Sequence, residues 1–362
     1  MRSFLNSVTN LTLLLNENEY SENLLNNNSL SNITDELLLN SYTNTNNIKE
    51  IKNDKIFVME YINYHTIIFG TKFLKLYKYD ILTNKITLLK SYEPELETIG
   101  IKTLKYDNNR LFCGIDKNLY IYNTDEKEEL EEIKNFQAHE NWISKIDILN
   151  DKLITSSKDR TLKLWSLNNL EEKEIYKTNN YFRNFYINKN KNSIFGLEIN
   201  GKLLEIDIEK GKKIKDKSLY GNECVGLNGN NEMLISGMDN KIIITDINNN
   251  QIKKFTNLHY IRTIEWFNDN IFSCGGVNNN LIFIDKRKME IMKTVSLEKI
   301  NIEYHEELRE LIEEFGISDQ VEEMLRKNTI YDHKYNLHKQ LIVGGGALTA
   351  NINGGGYLNY LW

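Results

Sequence analysis

The chain has 362 residues, 40% hydrophobic and 10% aromatic, enough to bury a large core as one big domain or two medium ones. A net charge of −6 excludes a general nucleic-acid coat, which needs a broad basic surface, so any cationic site is local. Cys113, Cys224 and Cys274 lie far apart with no CxxC pair, which excludes a disulfide framework and a zinc site and leaves buried small hydrophobes in a reducing compartment.

The first 46 residues form an extension. In "RSFLNSVTNLTLLL", Phe4, Val8, Leu11 and Leu15 recur at helical spacing, and in "LSNITDELLL" Leu30, Ile33 and Leu37 do the same. The pattern predicts two short amphipathic helices separated by an Asn-rich turn, either capping the protein's own surface or docking on a partner. Asn6, Thr9, Asn10 and Thr12 break the leucine run, so it lacks the apolar stretch of a secretory signal. No segment approaches the roughly 18 apolar residues of a membrane span. A soluble protein of the cytoplasm or nucleus is expected, with no membrane, nucleic-acid or cofactor partner.

From residue 47 onward the chain repeats. Alternating runs end at Tyr79, Tyr122, Trp165, Ile206, Thr245 and Ile284, spaced about 40 residues apart, and each unit consists of short strands with turn residues between them. That period predicts an all-β, seven-bladed β-propeller over residues 47–362. About two periods separate Ile284 from Trp362, so an insertion is expected at 298–328. There Tyr304, Leu308, Leu311, Ile312 and Phe315 predict a helix stopped at Gly316, and Ser318 caps a second one with Val321, Met324 and Leu325 as its buried stripe. The strand pattern then resumes to the end of the chain. The last blade lacks an outer strand, which "NNIKEIK" at 47–53 can supply, closing the ring and removing exposed sheet edges.

His139, a hydroxyl from Thr155 to Ser157, and Asp159 have the residue types of a hydrolase triad. In a blade the same residues, with Trp165, form a hydrogen-bonded network that satisfies buried polar groups, and this structural reading is preferred. The glycine-rich stretch 344–356 has no Lys-Ser or Lys-Thr pair for a phosphate loop and no dinucleotide spacing; it reads as a flexible hairpin connection. No enzyme is expected.

At the start of the innermost strands, "GIKTLKY", "YFRNFYI" and "YIRTIEW" place Lys102, Arg183 and Arg262 at one equivalent position. The turns "FGTKF" and "SSKDR" add Lys72 and Lys158 on the same face. Either each cation pairs with a neighbouring carboxylate, or together they receive an acidic ligand, because crowded like charges repel unless something offsets them.

The order of these features resembles the WD-repeat substrate receptors of the cullin-4 RING ubiquitin ligase, most closely the member-twelve branch of the DCAF group. The residues that carry the resemblance are "FGTK" (69–72), "ITLLKSYEPE" (86–95), "HENWISKIDILNDKLITSSKDRTLKLW" (139–165), "YIRTIEWFNDNIFSCGGVNNNLIFIDKR" (260–287) and "LIVGGGAL" leading to "LNYLW". It covers about residues 47–362. It implies a WD40 propeller that binds proteins with acidic C-terminal tails, a role that agrees with the basic mouth of Lys72, Lys102, Lys158, Arg183 and Arg262 read from the blades. It also implies docking on the ligase's adaptor propeller through Phe4, Val8, Leu11, Leu15, Leu30, Ile33 and Leu37 of the N-terminal helices and through Arg287, which "IDKR" keeps where "ITDINNN" has no counterpart. A general WD40 scaffold for complex assembly is the alternative.

Overall fold

The computed structural model describes residues 39, 48–51, 54–93, 99–124, 130–219, 224–229, 232–237, 241–246, 252–256, 261–276, 279–297, 328–336, 341–347 and 356–361. The chain divides into two compact units, residues 1–43 with Trp362 and residues 44–361. All the described strands lie in the second. The expected N-terminal helices, and with them Phe4, Val8, Leu11, Leu15, Leu30, Ile33 and Leu37, lie outside the described residues, as does 298–327 of the expected insertion. Asn328, placed at the end of that insertion by the sequence reading, instead opens a strand.

The described strands form seven antiparallel sheets of four. Their innermost strands are Ile56–Tyr61, Ile101–Asp107, Ile143–Leu149, Phe182–Asn188, Cys224–Gly229, Ile261–Trp266 and Asn328–Tyr335. Each contacts the next, and the last contacts the first, so the sheets are blades around a central channel. We number the blades 1 to 7 in that order. The anchors Tyr79, Tyr122, Trp165, Ile206, Thr245 and Ile284 all fall in third strands, where alternation sends one side chain in two into the seam between blades. One such seam holds Phe112, Ile121, Ile143, Ile146, Leu153 and Trp165, from blades 2 and 3.

Blade 7 joins the two ends of the propeller. Ile48–Ile51 pairs with Gly356–Leu361 in the register Ile48↔Asn359 to Ile51↔Gly356. A side-chain tie across the same junction runs from the Met59 amide to Asp332 Oδ2, 2.8 Å, over a separation of 273 residues. Deleting residues 1–53 should leave Gly356–Leu361 as a bare edge, lowering stability by about 3 kcal/mol or more through the lost strand and the exposed Ile51 contacts. Deleting 1–40 should not. Thermal melts of the two truncations check this, and equal midpoints would contradict it.

The glycine-rich stretch is not wholly a hairpin connection. Gly344, Gly345 and Gly346 lie inside the strand Leu341–Ala347, because blade 1 and Tyr357 press against it. A Cβ on Gly344 would meet Ile56 and Met59 at 2.8 Å, and one on Gly346 would meet Lys55 at 3.0 Å. Residues 348–355 of the stretch lie outside the described residues.

Many of the turns are closed by asparagine. Asn84, Asn108, Asn109, Asn150, Asn192 and Asn279 all have positive φ, a region that Asn tolerates better than most residues with a Cβ.

Candidate functional site

Six blades share one irregularity at the second residue of the innermost strand, and blade 7 shares it two residues further along. The pairing with the second strand slips by one residue at Phe57, Lys102, Ser144, Arg183, Val225, Arg262 and Tyr331. A bulge leaves its extra residue unpaired and bends the strand, so each blade presents one residue at the same level of the channel wall. Lys102, Arg183 and Arg262 therefore do occupy one equivalent position. Phe57 and Tyr331 occupy it in blades 1 and 7.

The ring is stitched by aromatic contacts. The Lys102 ammonium sits 3.8 Å from the Phe57 ring centroid, Phe57 meets Tyr331 edge-on at 5.1 Å, and the Arg262 guanidinium lies 5.2 Å from the Tyr331 ring. On the other wall Arg183 and Lys158 lie 5.9 and 5.8 Å from the ring of Trp142, itself edge-on to Tyr181. Among the described residues, no carboxylate stands within salt-bridge distance of Lys102, Lys158 or Arg183. For these three, pairing with a neighbouring acid is not how the charge is accommodated.

Two further lysines converge here. The Lys72 amide bonds the Lys55 carbonyl at 2.9 Å, tying the turn between the second and third strands of blade 1 to the start of its first strand. In the same way the Lys158 amide bonds Trp142 in blade 3. Burial, then Lys72 and Arg262, lower Lys55 to about 7, with Asp54 only partly offsetting them. Lys102 is also lowered to about 7, by the packed wall around it and then by Arg183, Arg262 and Lys55. Lys55 is only 1% exposed, whereas the Lys102 side chain remains open to channel water, which stabilises its ammonium. Titration near neutrality therefore falls mainly to Lys55. Sequence reasoning missed Lys55, which precedes the strand, and it missed Phe57, Trp142 and Tyr331, whose aromatic rings in an alternating run read as core.

Three residues deeper, roughly 8 to 10 Å along the strands, the chemistry changes. Lys105 bridges Glu60 at 3.6 Å and Asp147 at 3.2 Å, and Lys334 meets Glu265 at 2.6 Å. Burial opposes the charge on Lys105 and Lys334, but these carboxylates outweigh it and raise both lysines. The channel thus has a floor of compensated charge beneath a mouth of crowded cations.

The triad look-alike is a sealed structural network. His139 Nδ1 donates to Asp159 Oδ2 and its Nε2 accepts from Thr155 Oγ1, both at 2.8 Å, while Trp165 Nε1 donates to Thr155 Oγ1 at 2.9 Å. Thr155 is 0% exposed and His139 1%, so no substrate reaches this hydroxyl. Burial would raise the Asp159 carboxyl, but bonds from His139 and Thr161 hold it well below the usual carboxylate range. Arg287 lies in the turn after a third strand, at the end of the propeller opposite the mouth. Its guanidinium forks onto its own Asp285, with Nε–Oδ1 3.1 Å and Nη2–Oδ2 2.6 Å.

Residues 130–166, which contain this network, match the family model described as WD domain, G-beta repeat. The match takes in the outer strand of blade 2 and the first three strands of blade 3. Among solved structures, the chain is similar to the WD40 beta propeller domain of Doa1, with TM-score 0.66 and 10% sequence identity, covering 88% of this chain and 96% of that one. The chain folds as a WD40 β-propeller. None of the curated proteins matches the sequence.

Proposed function

We propose that the protein is a recognition subunit whose channel mouth binds the acidic C-terminal tail of other proteins. In line with the resemblance carried by its sequence, it presents them to a cullin-4 RING ubiquitin ligase through an adaptor propeller. The reading rests on the bulge ring, in which Lys102, Arg183 and Arg262 face one another at a single level with no carboxylate against Lys102 or Arg183. On this reading the protein is not an enzyme and works in the cytoplasm or nucleus without a cofactor. A general scaffold for complex assembly would need the propeller but not the cationic mouth.

The direct test is fluorescence polarisation with a peptide ending in Glu-Glu, the same peptide amidated at its C-terminus, and one ending in Lys-Lys, each at low and high salt. The free acidic tail should bind best and weaken as salt rises. Equal binding of all three would leave only the scaffold. Affinity purification from the native cell then tests the ligase assignment, since adaptor and cullin should copurify with the full chain and be lost when residues 1–40 are removed. Copurification unchanged by that truncation would exclude the N-terminal helices as the docking element.

Proton linkage gives a further expectation. Lys55 is lowered to about 7 in the empty mouth, and an anionic ligand favours its charged form. Binding should therefore take up protons and weaken as pH rises from 6 to 8, by about three- to tenfold at constant ionic strength. For the empty protein the sign is reversed: an unfolded lysine holds the proton that Lys55 releases, so its contribution to stability grows from pH 7 towards 10. Polarisation titrations at pH 6, 7 and 8 measure the first effect, and a flat profile would mean that Lys55 is already charged.

A further inference from the structure

The cationic mouth has an apolar shoulder on one side. Phe73 is 40% exposed and Ile99 37%, and both rise from backbone that borders the bulge ring. Gly100, at φ +91°, lies against Lys72 and Phe57 so closely that a Cβ there would fall 2.7 Å from the Lys72 Cα and 3.0 Å from the Phe57 ring. This contact sets the Ile99 segment beside the turn that carries Lys72 and Phe73. The turn is fixed by the Phe73 amide bonding Asp54 Oδ1 at 3.1 Å, and the Lys72 ammonium lies 4.9 Å from the Phe73 ring. Two large apolar side chains, each more than a third exposed, thus stand at the lip of a charged cup.

We propose that this shoulder seats a large apolar side chain of the same acidic ligand, a few residues before its acidic end, and so determines which acidic tails are preferred. The inference rests on the acidic-tail reading and adds a specificity element to it. The occupant is argued from continuity: Lys72 borders both Phe73 and the Gly100 contact with Phe57, so the shoulder adjoins the cationic mouth, and a chain whose carboxylates lie among Lys102, Arg183 and Arg262 has a path out over Phe73 and Ile99. Apolar burial and charge attraction then act together but respond differently to salt, because only the second is screened.

The experiment compares peptides ending in Glu-Glu that carry Leu at each of the third to sixth positions from the end with the all-Ala version, using the full chain. At one position Leu should improve affinity about three- to tenfold, and the improvement should persist at high salt while both affinities fall. Phe73→Ser combined with Ile99→Ser alters two side chains that are each more than a third exposed and outside the blade seams, and a thermal melt verifies that the fold holds. The pair should erase the preference for Leu and leave the Ala peptide bound as before. Equal affinity for all the peptides, or a Leu preference that survives in the double variant, would overturn the proposal while the acidic-tail reading stood. If no acidic peptide bound at all, both would fall.

Discussion

Arg183→Ala or Arg262→Ala should each weaken binding of a free acidic tail about 10- to 100-fold, while Lys158→Ala costs less than about threefold. The difference follows from burial and shape. Both arginines are half-buried at bulge positions and held against aromatic rings, Arg183 on Trp142 and Arg262 on Tyr331, so their planar forks are presented with little freedom left to lose. A carboxylate engaged by such a fork forms two parallel bonds in a partly dry site. Lys158 is exposed on the rim, where water and salt screen its charge. Arg→Lys at either position should recover only part of the loss, since an ammonium cannot fork. Polarisation titrations with circular dichroism as a fold control measure these effects. Equal losses from Lys158→Ala and Arg262→Ala would mean that the mouth attracts ligands only as a diffuse charge.

The largest effect on stability is expected at the network of blade 3. Trp165→Ala should destabilise the propeller by about 3 to 5 kcal/mol, because it empties a seam position packed on Phe136 at 5.2 Å and removes the donor that Thr155 Oγ1 accepts from. Trp165→Phe keeps much of the volume and loses mainly the bond, so about 1 to 2 kcal/mol is expected. The same network carries an acid dependence. Asp159 is held below its ordinary range, so its contribution is complete above about pH 4 and is lost as pH falls through its depressed folded value. In Asp159→Asn that part of the acid sensitivity should vanish. Denaturant unfolding at pH 3 to 7 measures both quantities, and a Trp165→Ala protein as stable as the parent would show that the network is dispensable.

Much of this architecture can be read from the chain. The anchors from Tyr79 to Ile284 mark third strands because each unit repeats the same strand alternation, with a large or β-branched side chain at one fixed place. Lys102, Arg183 and Arg262 are visible as equivalents because each follows the first residue of an innermost strand. Phe57 has the same place in "KIFVMEYI", yet no periodicity distinguishes an aromatic that faces the channel from one that faces the core. Lys55 is harder still, since nothing local requires a lysine before a strand to be sealed; Gly346, from the other end of the propeller, closes over it.

The sequence by itself determined what depends on neighbours along the chain: strand alternation and the network of His139, a hydroxyl from Thr155 to Ser157, Asp159 and Trp165, whose members lie within one repeat, the structure then selecting Thr155. Only the tertiary structure decided where the charges meet. One-residue bulges turn the ring residues into the channel, and ring closure through Ile48–Ile51 and the Asp332 to Met59 tie brings Arg262 and Tyr331 round to Phe57 and Lys102. The same closure stacks an ion-paired floor, Glu60 and Asp147 on Lys105 and Glu265 on Lys334, below them. The physical reason is that whether a cation is paired or crowded depends on groups one or more blades away, and short-range pattern carries no record of those distances.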